Sequence, residues 1–431
     1  MQKDEPAARV ETVNRTQFVL EPRDFDAMIP SDHPARAVWA FVEKLDLSMF
    51  YEPIRSREGG LGRPATDPKL LLALWLFAIS EGEGSAREIV RLTDSHDAYR
   101  WLRGGVGLNH HSVSDFRTKH PKAVNALLTQ LLVALMDAKL LTLKRVAQDG
   151  TKVRASAGAA SFRKKKTLYK LEKEASRQLE QVDAAAKQPG RLDKQEAAEL
   201  RAAEERLARI QQALAKLPLI RTAKAEAKRD TKKKKKSEPR ASTTDPDARV
   251  MKDGGGGYRP SFNLQFATEE KSGLIIEANV TTSPADNHES VPMLDAIQER
   301  LGDQPQQLLV DAGYIHFESV EAIAARDVEL FMSLDSNVVI GADGKRIDPL
   351  DAREGDSPAV AALRKRMKSE SGRRVYAKRS PIAELPNAVF KERLGLRQFR
   401  VRGLAKVTAV TMLTVLAHNM LRLFSLGWSW T

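Results

Sequence analysis

Arg145-Val146-Ala147-Gln148-Asp149-Gly150-Thr151-Lys152-Val153 breaks a chain that up to this point reads as helix. Its β-branched residues suit a strand, and the same pattern resumes at 258–266 and again at 274–280. A sheet is being built from these segments. Downstream, Leu308-Leu309-Val310-Asp311 reads as a short buried strand, residues 318–325 as a helix, and Val328-Glu329-Leu330-Phe331-Met332 as a further strand. That alternation belongs to an α/β domain.

Upstream of the sheet, residues 33–140 read as an all-α unit. Pro68 follows Thr66-Asp67 at a helix start, and Leu70, Leu71, Leu74 and Phe77 then recur at helical spacing. Ser85-Ala86-Arg87-Glu88-Ile89 has the form of a capped start. Asn109-His110-His111-Ser112-Val113-Ser114-Asp115-Phe116-Arg117 opens another helix after a Gly-rich turn. Such a pair is either two core helices of a bundle or a helix-turn-helix that reads DNA, with Ser112 and Arg117 as the candidate contacts.

Between the first strand and the second lies a polar, Lys-rich stretch, residues 163–253, of helical composition. Leu200, Leu207 and Leu214 recur every seven residues with Ala203, Ile210 and Leu217 three positions later, while Pro189-Gly190 breaks the preceding helix that carries Leu168, Leu171, Leu179 and Val182. An inserted antiparallel helical hairpin follows from that pattern. Lys232, Lys233, Lys234, Lys235 and Lys236 have no apolar neighbours to bury; the run is a solvated segment or a contact for phosphates. At the other end of the chain, residues 404–424 form a helix apolar on most faces, suited to the core.

Composition narrows the function. A chain of 431 residues is long enough for two or three structural units, and 70 Lys and Arg against 57 Asp and Glu leave a formal charge of +13 that attracts polyanions such as nucleic acid. There is no cysteine, which excludes disulfides, thiolate metal sites and cysteine nucleophiles. No run of about 20 consecutive apolar residues is expected to span a membrane, and the first residues lack the apolar core of a signal peptide. The expectation is a cytoplasmic protein with no membrane partner.

Three carboxylates stand where a site for hard cations would want them: Asp149 on the first strand, Asp311 ending a later one, and Glu384 on a helix near the C-terminus. Each has a plainer alternative. Asp-Gly is equally the pair that fits a hairpin turn, Asp311 suits a turn cap, and Glu384 suits a solvated helix face. His418-Asn419, in the apolar C-terminal helix, reads as a hydrogen-bonded core pair.

Asp149-Gly150-Thr151-Lys152, Asp311-Ala312-Gly313-Tyr314, then Tyr376, Arg379, Glu384 and Lys391 resemble the signature of insertion-sequence DDE transposases. The runs 390–399, 402–406 and 416–420 are similar to that family's C-terminal pattern. The resemblance implies a ribonuclease-H-like catalytic domain over 141–431, preceded by a helical DNA-binding domain over 1–140 and interrupted by the helical insertion at 163–253. It implies an enzyme that binds the terminal inverted repeats of a mobile element, cuts DNA at the ends and joins the 3′-hydroxyls to target DNA.

Phosphodiester cleavage needs an activated water and neutralisation of the leaving oxygen, chemistry that a pair of divalent ions supplies. The expected cofactor is therefore two Mg²⁺, with Mn²⁺ substituting, held by Asp149, Asp311 and Glu384 with Asp149 bridging. Arg379 and Lys391 would donate to phosphate oxygens, and Tyr376 would add a hydroxyl or a stacking face. Synapsis of two ends implies a homodimer associated with the nucleoid. The rival expectations are a DNA-binding regulator without catalysis and a nuclease that cuts without joining.

Overall fold

The computed structural model describes residues 24–56, 64–186, 194–229, 238–253, 255–314, 316–334, 339–340 and 346–427. Among them, seven α-helices precede the first strand: α1 (Pro34–Glu43), α2 (Ser48–Tyr51), α3 (Pro68–Ser80), α4 (Ala86–Ser95), α5 (Asp97–Arg103), α6 (His110–Lys119) and α7 (Pro121–Asp137). The expected starts are where the caps put them. Asp67 accepts from the Lys69 amide ahead of Pro68, Ser85 accepts from Glu88, and Asn109 accepts from His111. Helix α3 is buried on nearly every face, so it is the central rod of this bundle.

The sequence pairing of the helices that start at Ser85 and Asn109 is corrected by the structure. Helix α5 lies between α4 and α6, so the two do not follow one another across a single turn. The short α5 is capped by His96 and closed by Gly104 in the left-handed region, signals that a search for long apolar periodicity passes over.

The sheet follows with β1 (Arg145–Arg154), β4 (Arg249–Lys252), β5 (Tyr258–Glu269), β6 (Ile275–Thr281), β7 (Gln307–Val310) and β8 (Glu329–Met332). Strand β1 lies at its centre, antiparallel to β5 and parallel to β7, and β7 is parallel to β8. The far edge of β5 carries β4 along its first residues and β6 along the rest, both antiparallel. The parallel pairings need crossovers, and α10 (Ser290–Leu301) and α11 (Phe317–Ala324) supply them. The result is a mixed α/β domain, consistent with the ribonuclease-H-like expectation. Asp149-Gly150 is not a hairpin turn, because both residues lie inside β1 opposite Phe266 and Gln265.

Between β1 and β5 the chain makes β2 (Phe162–Lys164), α8 (Lys165–Ala186), α9 (Lys194–Arg229) and β3 (Arg240–Ser242). Strands β2 and β3 pair antiparallel and close the base of the hairpin. Leu168, Ala175, Ile210, Ala213, Leu217 and Ile220 form a small core of its own, distinct from the main one. The buried line on α9 therefore follows Ala203, Ile210 and Leu217, with Leu207 and Leu214 half-buried beside it. The Pro189-Gly190 break lies outside the described residues.

The chain ends with the short pair β9 (Val339–Ile340) and β10 (Arg346–Ile347), then α12 (Pro358–Lys368), α13 (Glu370–Tyr376), α14 (Arg379–Ala388), a π-helical turn (Val389–Arg393) and α15 (Leu404–Ser425). Among the described residues α15 alone is long and apolar enough to cross a membrane, and its apolar window is 78% buried inside the protein. It packs between β6 and helices α3, α6 and α7, so the N-terminal helices and the sheet share one continuous core. Asn419 seals that contact: its amide accepts from Ile275 N at 2.9 Å and donates to Ile275 O at 2.8 Å. His418, beside Gly273 O at 3.3 Å, is pushed down to about 4 by burial and stays neutral. The pair is core, as its apolar surroundings implied.

Candidate functional site

Pairing of β1 with β7 runs Arg145 to Gln307, Val146 to Leu308 and Ala147 to Leu309. Two residues further along each strand stand Asp149 and Asp311. Side chains two apart on a strand share a face, and neighbouring strands lie about 4.8 Å apart, so the register sets these carboxylates side by side. Asp311 follows the last residue of β7, and its Oδ1 accepts from the Gly313 amide at 2.7 Å.

Asp149 is fixed from two sides. Its Oδ1 accepts from the Gly150 amide at 2.8 Å, and its Oδ2 accepts from Asn387 Nδ2 at 2.8 Å. Burial pushes its carboxyl up to about 6, the negative charge of Asp311 adds to the rise, and the Gly150 amide and Arg379 oppose it. Two carboxylates facing one another with one partly desolvated are a poor arrangement for anions alone. They make a fitting donor set for a hard cation.

Gly150 is required by what lies behind the strand. A Cβ there would meet Gln265 Nε2 at 2.3 Å, Asp286 Oδ1 at 2.8 Å and Asn263 Oδ1 at 3.2 Å. These groups form a polar layer on the face opposite Asp149. Asp286 accepts from Lys152 Nζ at 2.9 Å, Asn263 Nδ2 at 2.7 Å and Gln265 Nε2 at 2.7 Å. Gln148 Nε2 donates to Gln265 Oε1 at 3.1 Å, and the buried Tyr314 hydroxyl donates to the same oxygen. Lys152 is thus bound to Asp286 on this face.

Helix α14 packs over β1 and β5, and the π-helical turn after it wedges Phe390 against Phe266, ring centroids 4.5 Å apart. Glu384 rides on this helix but does not join the aspartates. Its side chain is 63% exposed, accepts from Ser380 Oγ at 2.7 Å and lies 3.8 Å from an Arg379 nitrogen. Among the described residues no three Asp, Glu or His side chains are gathered at metal-ligand spacing. The sheet brings Asp149 and Asp311 together, and Glu384 stands apart from them with its carboxylate on Ser380 and Arg379.

The cationic and aromatic candidates surround the aspartates. Arg379 is 17% exposed and lowers the Asp149 carboxyl. Tyr376 is half-buried; burial raises its hydroxyl, Arg379 opposes the rise, and the charge of Asp311 reaches it. Burial lowers the Lys391 ammonium, against the opposing pull of Asp253 and Asp149. Ser112 lies exposed on α6. Lys232, Lys233, Lys234, Lys235 and Lys236 lie outside the described residues.

Arg117 is corrected. It is 7% exposed, its Nη1 donates to Gly84 O at 2.7 Å, and its guanidinium sits 4.6 Å from the Trp75 ring centroid. Burial lowers it to about 10. This arginine ties α6 to the turn before α4 and is buried rather than presented at the surface; a basic residue in the last turn of a short helix gave no hint of that burial.

Asn387 was missed. It stands three residues after Glu384, a spacing that shares a helix face, and its Oδ1 is buried without a partner while Nδ2 holds Asp149. An orphaned acceptor beside a buried carboxylate is a further mark of a cation-binding place. Asp286 was also passed over, since an acidic residue in a loop carries no local signal.

Comparison with known proteins gives the family. Residues 219–420 match the family model described as Transposase DDE domain, and residues 23–119 match the one described as Transposase domain (DUF772). Asp311, Tyr376, Arg379, Glu384 and Lys391 fall in the first match and Ser112 and Arg117 in the second, while Asp149 lies between the two. No curated protein and no solved structure matches the chain. With two transposase models covering more than two thirds of its length, the chain belongs to the insertion-sequence DDE transposases.

Proposed function

We propose that the protein binds the terminal inverted repeats of an insertion sequence, cuts DNA at the element ends and joins the 3′-hydroxyls to target DNA. The observation that carries this reading is the β1–β7 register, which sets Asp149 beside Asp311 at the centre of the sheet. Family membership makes DNA the partner and divalent metal the ordinary cofactor. Asp149 and Asp311 would hold the metal, Mg²⁺ with Mn²⁺ as substitute, and Glu384 would complete the set.

Bound there, divalent ions supply activation of the attacking oxygen and neutralisation of the leaving one. The protein's own residues do the rest. Asn387 and the Gly150 amide keep Asp149 in one rotamer. Arg379 and Lys391, set around the aspartates, would hold phosphate oxygens of the element end, and Tyr376 would stack or donate beside them. Glu384 is held outward only by an exposed hydrogen bond and a long ion pair, worth under about 1 kcal/mol. Its inward rotation therefore meets little resistance.

We assign end recognition to the helices within 1–140, with Ser112 exposed on α6, and general phosphate contact to Lys232, Lys233, Lys234, Lys235 and Lys236. The catalytic unit on this reading is 141–431, with 163–253 as its insertion, and a homodimer holds the two ends. The outward Glu384 is the one observation that favours a catalytically silent regulator.

The deciding experiment incubates purified protein with Mg²⁺ or Mn²⁺ and labelled DNA carrying the inverted repeats that flank the coding region. Nicks at the ends and strand-transfer products are expected, and Asp149→Ala should lose both while keeping end binding. Binding without either product would leave the regulator; nicks without joining would leave a nuclease.

A further inference from the structure

The chain's positive charge is concentrated in one place. Residues 163–236 contain 23 Lys and Arg against 11 Asp and Glu, an excess of 12 within a whole-chain charge of +13. Everything else is nearly neutral. Helices α8 and α9 make up most of that stretch, and the aspartate site uses none of it.

The described part of the hairpin offers a seat for a polyanion. At its base an open groove of about 550 Å³ is lined by Arg163, Lys170, Arg206 and Arg209, with Glu174 as the opposing charge. Arg163, Lys170 and Arg206 are exposed. Arg206 donates to Gln178 Oε1 at 2.5 Å, Arg209 lies 3.3 Å from Glu205, and Lys170 lies 3.8 Å from Glu174. These exposed partners are exchanged for phosphate at small loss, and guanidinium forks suit phosphate oxygens.

We propose that the α8–α9 groove is a clamp for the backbone of duplex DNA, independent of sequence. It deepens the reading of the chain as a DNA-handling enzyme and rests on it. An uncompensated excess of this size gathers counterions, and releasing them to a phosphate backbone is what drives non-specific binding. The 22 residues of α8 make a rod of about 33 Å, close to the roughly 34 Å of one duplex turn.

The hairpin's separate core lets it present this surface without disturbing the sheet. Its base is nevertheless anchored. Strands β2 and β3 pair, and Lys216 on α9 lies 2.7 Å from Asp247, whose other oxygen accepts from Leu404 N at the start of α15 at 3.0 Å. DNA gripped by the hairpin is thereby held to the helix that supports the aspartate-bearing sheet.

The test uses the full-length protein carrying Arg163→Gln, Lys170→Gln, Arg206→Gln and Arg209→Gln together, with the Lys tract intact. Affinity for a short duplex of arbitrary sequence is measured by fluorescence anisotropy over a salt series. The slope of log affinity against log salt should become shallower by about 3 to 4, at about 0.9 per lost phosphate contact. A set that keeps charge, Arg163→Lys, Lys170→Arg, Arg206→Lys and Arg209→Lys, should keep the slope.

An unchanged slope in the Gln set overturns the clamp, as does an equal loss in both sets. Should far-ultraviolet dichroism show the fourfold set has lost the hairpin, the exposed pair Arg163→Gln and Lys170→Gln is read instead, with an expected change of about 2. Tighter binding of an RNA hairpin than of the duplex, lost in the same variant, overturns the assignment to DNA. Failure of the unaltered protein to bind any duplex sinks the parent reading rather than the clamp alone.

Discussion

Asp149→Asn should make the protein more stable at neutral pH when divalent ions are absent. Burial raises the Asp149 carboxyl from 3.8 to about 6, so keeping it ionised in the fold costs about 3 kcal/mol. Between those two values the folded state binds the proton that the unfolded state has released, so stability falls as pH rises from about 4 to about 6 and is then level. Asparagine has no such loss. It can keep the Gly150 amide on its oxygen, and a flip of the Asn387 amide turns the orphaned Oδ1 toward the new Nδ2. For 431 residues, unfolding entropy of about 2.1 cal/mol/K per residue converts 3 kcal/mol into roughly a 3 °C rise in Tm. The assay is thermal unfolding of both proteins in chelator across pH 4 to 8. A variant no more stable than its parent at pH 8, or one whose advantage persists unchanged at pH 4, refutes the argument. Adding Mg²⁺ at pH 8 should raise the Tm of the unaltered protein and leave that of Asp149→Asn nearly fixed.

Gly150→Ala should lower stability by about 1–3 kcal/mol, since its Cβ must displace Gln265 and Asp286 from the layer behind the strand; denaturant unfolding checks it, and a neutral result would mean that layer yields freely. Arg300→Ala should lower stability by about 3–5 kcal/mol, because Arg300 and Glu277 are buried together at 2.7 Å and the same guanidinium reaches Asn125 and Thr129 on α7. Glu277→Leu combined with Arg300→Met should recover much of that loss. Glu384→Gln should remove end cleavage while leaving unfolding within about 0.5 kcal/mol of the parent; a large fall in stability would show that the outward side chain is a structural contact.

Much of the fold was legible because it rests on local signals. The caps at Asp67, Ser85 and Asn109 started helices where the sequence placed them, and β5, β6, β7 and β8 follow the β-branched runs closely. Partner identity was not local. Asp149-Gly150 fits a turn equally well in isolation, and only pairing with β5 shows it as mid-strand. Arg117 was misread for the same reason, since nothing near it in sequence reveals that Trp75 and Gly84 close over it. Asn387 stayed hidden because its value lies in reaching a strand 238 positions away.

The division of the site between strand and helix has a consequence for how its third carboxylate would enter. Asp149 lies within β1 and Asp311 directly follows β7, so the pairing of those strands positions both, and a slip of one residue would turn a paired side chain to the other face. Glu384 has no such constraint, yet its helix does. Asn387 ties α14 to Asp149, and Phe390 in the π-helical turn is wedged against Phe266, an irregularity that commonly marks functional segments. With the helix held at that end, rotation about the Glu384 side chain would disturb fewer contacts than movement of α14 as a body. Arg379 would then lose its long contact with Glu384 as the latter turns inward, leaving its guanidinium to a phosphate oxygen beside Asp149. Cation entry and DNA contact are thereby linked through one arginine, so the end of the element and the divalent ion should each tighten the binding of the other.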